Sequence, residues 1–260
     1  MPRFAANLTM LFNEVDFLDR FAAAAAAGFK GVEYLFPYPY PKEALAERLA
    51  RYGLIQALHN LPAGDWAKGE RGIACLPGRE EEFRDGVATA IAYAKALNCG
   101  QLNCLVGVTP KTADERLIKS TLVGNLRWAA KALADAGIKL LVEPINGYDI
   151  PGFYLTQSRQ TLALFDEVDD NNLWLQYDIY HMQRSEGELA ATLQALLPRI
   201  AHVQVADNPG RNEPGTGEIN YDFMFRKLDE FGYSGWVGCE YKPRTTTQEG
   251  LGWLARAGTR

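Results

Sequence analysis

Histidine is scarce in this 260-residue chain, cysteine is scattered, and positive charge is in deficit. The four cysteines, Cys75, Cys99, Cys104 and Cys239, show no CxxC spacing. Neighbouring pairs therefore build neither a zinc knuckle nor a dithiol redox motif, and the thiols are expected as small buried hydrophobes in a reducing cytosol. With 27 Lys and Arg against 32 Asp and Glu the net charge is −5. That balance, with a pI near 5.4, disfavours general affinity for a phosphate backbone. No apolar run approaches the ~20 residues a membrane span needs, because the longest, over 21–29, is mostly alanine. Met1-Pro2-Arg3 leads straight into a strand-like FAANL, so no signal peptide and a cytoplasmic location are expected. No Pro/Ser-rich linker, low-complexity tract or 20–50-residue repeat divides the chain, which implies a single domain over 1–260. The partner these absences leave is a small-molecule substrate, with no nucleic acid and no membrane. Oligomeric state stays open, homo-oligomers included.

What is present is an alternation of strand and helix patterns, the order that a parallel α/β sheet requires. Strands are expected at 4–8, 31–36, 55–61, 101–107, 140–146, 173–181, 201–207 and 235–242. Between them, Asn13 is expected to cap a helix that carries Phe17 and Phe21 and ends at Gly28. A helix over 42–52 follows, then one that opens on the acids Glu80–Glu82 and buries Phe83, Val87 and Ile91. Thr112 and Glu115 read as a capping box for a helix with Leu122, Leu126 and Leu133. Helices from Thr156, over 188–197, after an Asn220 cap, and after a Thr246/Glu249 cap complete the series. Eight strand–helix units in a chain of this length match one (β/α)₈ TIM barrel, which typically takes ~250 residues. Two glycine-rich loops stand out, 62–78 and 208–220. Unstructured loops of such length are often binding loops, and Trp66, Glu70 and Arg71 are the expected contacts of the first.

The strands are not uniformly apolar. In LWLQYDIYH (173–181), Leu173, Leu175 and Tyr177 share one face while Trp174, Gln176 and Asp178 share the other, because side chains alternate. LLVEPIN sets Glu143 against Leu140 and Val142, AHVQVAD sets Gln204 against Val203 and Val205, and GWVGCEYK sets Glu240 against Val237 and Cys239. In a barrel the inward residues share one interior, with the active site at the C-terminal strand ends. The expected inward set is Asn7, Glu33, His59, Asn103, Glu143, Asp178, Gln204, Glu240 and Lys242. Any one could be a satisfied interior hydrogen bond. Four oxygen-bearing side chains on strands five to eight together point to a metal, since so many unpaired polar groups are costly to bury. Three carboxylates and an amide oxygen suit Mg²⁺ or Mn²⁺ better than zinc. His181 reads equally as a substrate contact or as a residue of the following helix.

Longer runs carry a resemblance over essentially the whole chain: HNLPAGDWAKGERGIACLPGREEEFRDG (59–86), EPIN (143–146), QYDIYHMQ (176–183), QVADNPGRNEPGTGEINY (204–221) and GWVGCEYKP (235–243). In these the chain resembles the hydroxypyruvate isomerases of the xylose-isomerase-like barrel superfamily. The resemblance implies a divalent-metal enzyme with Glu143, Asp178, Gln204 and Glu240 as ligands and Glu143 and Glu240 as the proton-transferring pair. The broader superfamily often has histidine where this chain has Gln204. The implied reaction interconverts hydroxypyruvate and tartronate semialdehyde through an enediolate; His59, His181 and Trp66 are the candidate substrate contacts from their strand and loop positions. The substrate carboxylate needs a cation, for which Arg211, Lys242 and Arg71 are the candidates. A four-carbon 2-oxo-acid isomerase and a ketose 3-epimerase are alternatives of the same chemistry. A DNA-repair endonuclease on this fold would need a histidine-rich zinc cluster and a basic face, which three histidines and an acidic pI argue against. A barrel without catalysis is argued against by the retention of both glutamates.

Overall fold

The computed structural model describes residues 2–110, 112 and 114–258. Eight parallel strands close into a barrel in sequential order, β1 to β8, with β1 paired to β8. They are β1 (Arg3–Asn7), β2 (Gly31–Glu33), β3 (Ile55–Asn60), β4 (Gln101–Cys104), β5 (Lys139–Val142), β6 (Leu173–Asp178), β7 (Ile200–Val205) and β8 (Trp236–Cys239). Helices α1 (Arg20–Ala26), α2 (Lys42–Tyr52), α3 (Glu80–Ala96), α4 (Glu115–Asp135) and α5 (Ser158–Val168) follow the first five strands. After β6 come α6 (Ile179–Ser185) and α7 (Leu189–Leu196), after β7 comes α8 (Tyr221–Glu230), and α9 (Thr247–Gly250) and α10 (Gly252–Gly258) close the chain. Among the described residues no helix is long and apolar enough to cross a membrane.

Alternation along the strands sorts the two sides of the barrel wall. Leu140, Val142, Leu175, Tyr177, Val203, Val205 and Val237 are fully buried in the hydrophobic core shared with the helices. On α4, Ile118, Leu122, Leu126 and Leu133 form the buried stripe, and each such side chain contributes about 1.5–3 kcal/mol by leaving water. The other face of the wall is polar: Asn7, Glu33, Asn60, Asn103, Gln176, Asp178, His202 and Gln204 are all buried. Buried from water, these groups are left to bond with one another, with nearby backbone as Asp178 and Asn7 do, or with something bound at the open end.

Several local expectations are corrected. Asn13 caps no helix; its amide donates to the Met10 carbonyl at 2.7 Å, closing a turn, and the first helical residues come later, in a 3₁₀ turn at Phe17–Asp19. Phe17 and Phe21 do meet, edge to face at 5.8 Å. Asp114, not Thr112, caps α4 by accepting from the Arg116 N–H at 2.9 Å. It stands next to the first helical residue, whereas Thr112 lies too far upstream to act as the cap. Helix α5 starts at Ser158 behind a Gln157/Gln160 capping box rather than at Thr156. Asn220 and the Thr246/Glu249 box cap their helices as expected.

The strands end earlier than their sequence patterns do. β5 stops at Val142 and β8 at Cys239, so Glu143 and Glu240 occupy the first position beyond the ladder. β6 passes at Asp178 directly into α6, which places His181 on a helix. Strand β3 carries the clearest reversal. His59 was expected inward, yet Asn60 is the inward residue, bonded to Asn103 at 3.2 Å. His59 faces outward, with its ring edge-on to Tyr38 at 6.2 Å and the Ala90 backbone of α3 beside it. IQALHNL buries both faces, so hydrophobic alternation carries little parity information there, and the β2–β3 register shifts by one at Glu33.

Candidate active site

The open C-terminal end of the barrel holds a cavity of about 480 Å³. Glu143, Gln176, His181, Arg211, Glu240 and Lys242 line it, with Asn60, Trp66, Arg71, Asp149 and Arg184. Each buried side chain is placed by hydrogen bonds that run up the interior. Glu33, against the His202 ring at 2.6 Å, accepts from the Asn7 amide at 3.0 Å and the Gln204 amide at 2.8 Å. A carboxylate only accepts, so Gln204 must turn its NH₂ to Glu33 and its oxygen away. That oxygen accepts from the Gln176 amide at 2.6 Å, and the same Gln176 amide donates to Glu143 Oε2 at 2.9 Å. Asn103 supplies a second donor to Glu143 Oε2 at 3.1 Å. Gly238 makes this network possible, since a Cβ there would fall 2.3 Å from the Glu33 carboxylate.

At the mouth two carboxylate oxygens are buried without partners, Glu143 Oε1 and Asp178 Oδ2. Asp178 uses its other oxygen to cap α6 through the Tyr180 and His181 N–H groups. Glu143, Asp178 and His181 each offer an atom within 4.8 Å of the others. Buried orphan acceptors facing one space are costly unless a cation joins them, so the residues present fit a divalent metal. The His181 tautomer refines the set. Asn146 Oδ1 accepts from the Tyr148 and Asp149 N–H groups, so its NH₂ faces His181 Nδ1 at 2.6 Å and makes that nitrogen the acceptor. The neutral ring then carries its proton on Nε2, which faces Asp178 at 3.6 Å and Glu143 at 3.9 Å, too far to hydrogen-bond either.

Charge at the mouth is unbalanced. Burial raises the Glu143 pKa well above the usual carboxylate range, and Glu240 and Asp178 push it further. Burial likewise pushes Glu240 up to about 8 and Asp178 up to about 6, each against the pull of Arg211. Burial, with Arg211 and Arg184 nearby, holds His181 well below its ordinary value and keeps it neutral. Arg211 contacts Glu240 at 3.0 Å, Asp149 at 3.3 Å and Asp178 at 3.9 Å. Its φ of 53° is a left-handed conformation for a non-glycine residue, a strain of ~1–3 kcal/mol of the sort that functional sites retain. Asp207 holds the Arg211 loop by accepting four backbone N–H groups, from Asn208, Gly215, Gly217 and Ile219.

Of the residues singled out in the sequence, the structure brings Glu143, Glu240, His181, Arg211, Lys242, Arg71 and Trp66 to one cavity, with Asp178 against His181 and Arg211. Gln204 lies in register with Gly238 rather than Glu240, and its amide is engaged at both ends. His59 lies outside the cavity. Glu70 is a strut within its loop, paired with Arg79 and accepting from the Asp65 N–H. Sequence reading missed Asn60, Asp149, Arg184 and Asp207. Asp207 before Asn-Pro-Gly carried a turn signal, whereas Asp149 and Arg184 carried none, since they meet only when α6 folds against the loop after β5.

The family described as xylose isomerase-like TIM barrel matches residues 21–257. The chain is 61% identical to the hydroxypyruvate isomerase of Escherichia coli (strain K12), over 98% of both chains. It is 48% identical to the 2-oxo-tetronate isomerase of Cupriavidus necator, again over 98% of each. A crystal structure from Brucella melitensis titled AP endonuclease, family 2, superposes with a TM-score of 0.96 at 46% identity, covering 98% of this chain and 99% of that one. An acid-lined barrel mouth, the family match over most of the chain and similarity to named isomerases over nearly its full length lead to one placement: the chain belongs to the xylose isomerase-like TIM-barrel family, among its hydroxypyruvate isomerases.

Proposed function

We propose that the chain is a cytoplasmic isomerase that interconverts hydroxypyruvate and tartronate semialdehyde. The observation that carries this is the pair of buried glutamates, Glu143 after β5 and Glu240 after β8, lining one cavity. Moving a carbonyl to its neighbour requires one carbon to lose a proton and the next to gain one. Glu143 Oε1 has no protein partner and is free to exchange a proton with a substrate carbon. Glu240, oriented by Arg211, performs the complementary transfer. A proton leaves C3 of hydroxypyruvate, an enediolate forms, and C2 is protonated; meanwhile the O3 hydroxyl becomes the aldehyde and the C2 carbonyl becomes the hydroxyl. Reversal exchanges the two roles. The His181 Nε2–H hydrogen-bonds a substrate oxygen as its charge develops.

Glu143, Asp178 and Glu240, with the oxygen of Gln204, would hold Mg²⁺ or Mn²⁺, an oxygen donor set suited to hard cations. The carbonyl oxygen of Gln204 retains a second lone pair for this beside its bond from Gln176. Such an ion supplies Lewis-acid polarisation of the substrate oxygens. Relatives named 2-oxo-tetronate isomerase favour a four-carbon 2-oxo acid as the second reading, and kcat/KM for the two substrates decides between them. The activity itself is tested in deuterium oxide. Deuterium at C2 of the product, above an enzyme-free blank, is the expected result. Full retention of a C3 label at product C2 over many turnovers, with no solvent deuterium, would remove Glu143 and Glu240 as an acid–base pair. Cleavage of abasic DNA without turnover of either 2-oxo acid would overturn the isomerase reading altogether.

A further inference from the structure

The cavity is rich in carboxylates, yet a 2-oxo acid brings another one. Arg211 and Arg184 are paired with the site's own acids, Arg211 to Glu240 and Asp149 and Arg184 to Asp149, which among the described residues leaves Arg211 only its Nε–H without a partner and no two-pronged edge. Two cations at the cavity have no carboxylate partner among the described residues, Arg71 and Lys242. Lys242 is exposed, a single ammonium on a flexible stem. Arg71 is half-buried and built into place. Its guanidinium lies 4.0 Å from the Trp66 ring centroid, and Nη1 donates to the Trp66 carbonyl at 3.0 Å and the Glu70 carbonyl at 2.7 Å. Those two bonds use both Nη1 protons. The Nε/Nη2 edge remains, the side-on fork whose parallel N–H groups match the two oxygens of a carboxylate.

The loop that carries this fork is braced. Glu70 pairs with Arg79 and accepts from the Asp65 N–H, and Arg79 also pairs with Glu82 at 2.6 Å. Gly72, at φ 110°, lets the next residues run against the β4 end, where a Cβ would lie 2.0 Å from the Leu105 carbonyl oxygen. A preorganised fork loses little freedom on binding, which favours it over a mobile lysine.

We propose that Arg71, held on the face of Trp66, binds the substrate carboxylate and makes this site selective for 2-oxo acids over uncharged ketoses. This rests on the isomerase reading above and names the residue that sets its substrate class. The test compares hydroxypyruvate with dihydroxyacetone, which presents the same reacting carbons with CH₂OH in place of the carboxylate. Dihydroxyacetone turnover is read by NMR as deuterium uptake, so that slow reaction still registers. In Arg71→Met, kcat/KM for hydroxypyruvate should fall roughly 100-fold, the scale of two charge-assisted hydrogen bonds, mainly through KM. The value for dihydroxyacetone should change less than about threefold, and Arg71→Lys should recover part of the loss, as the charge alone is retained. Binding of hydroxymalonate, followed by calorimetry, should weaken in parallel while Mg²⁺ affinity and Tm hold. Equal losses on both substrates would show Arg71 to be merely structural and overturn the proposal. So would a loss of selectivity in Lys242→Met but not in Arg71→Met. If the wild-type protein turned over neither substrate, the isomerase reading would fail, and the hydroxymalonate comparison would still decide whether Arg71 is a carboxylate site.

Discussion

Glu240 shows how a single side chain can be costly to fold and necessary to function. Burial raises its pKa to about 8, against the pull of Arg211, which brings the carboxyl toward the range where it can exchange a proton. Glu240→Gln resembles the carboxyl group in shape and keeps an oxygen for a cation. It removes the proton acceptor, and general acid–base catalysis is worth roughly 10²–10⁴-fold. We expect kcat to drop by that range with Tm nearly unchanged, checked by steady-state kinetics beside differential scanning calorimetry. The four thiols give a second expectation at this scale. Burial pushes Cys75 up to about 11 and Cys99 up to about 12, and raises Cys104 and Cys239 as well. A thiol reacts as its thiolate, and a pKa raised above pH 8 means that little thiolate exists there. Native protein at pH 8 should therefore leave all four unreactive to a disulfide reagent, while denaturant exposes all four; rapid labelling of the native protein would contradict their burial.

At the scale of elements, the 208–220 loop is held from within by Asp207, whose oxygens accept four backbone N–H groups. Those bonds hold the segment that carries Arg211 in its left-handed conformation. Replacing the acceptor leaves buried donors unmatched, at about 1–3 kcal/mol for each group that water cannot reach. Asp207→Ala should thus lower stability by about 2–4 kcal/mol, seen in urea denaturation, and reduce kcat/KM by releasing Arg211 from Glu240. Asp207→Asn, which retains one acceptor, should lie between the two. Loss of stability without loss of activity would separate the loop's fold from its catalytic purpose.

For the molecule as a whole, the closed barrel gathers Glu143, Asp178 and Glu240 into one buried space with a single arginine bridging two of them. A divalent ion bound only by the native state stabilises it by mass action. Chelator-treated protein should therefore gain Tm on addition of Mg²⁺ or Mn²⁺ and recover activity with it. Glu143→Gln should blunt that gain, and an unchanged Tm over a saturating metal titration would count against the site.

Much of this was legible before folding was considered. Alternation in 140–146, 201–207 and 235–242 placed Glu143, Gln204 and Glu240 on the face opposite the aliphatic residues, because a strand with one buried apolar side admits a single parity. Strand–helix order and length dictated the barrel, and the capping chemistry of Asn220 and Thr246 is local. The inward face of β3 was not legible, because both faces of IQALHNL are buried and a register shift decided between His59 and Asn60. Nor were the roles of Asp149, Arg184 and Asn146, which are distant in sequence from the groups they orient. The proton position on His181 follows from Asn146, and the free fork of Arg71 follows from which carbonyls its own loop presents. Sequence pattern records which side chains avoid water. Which polar atoms remain unpaired, and where they converge, was decided only when the barrel closed around them.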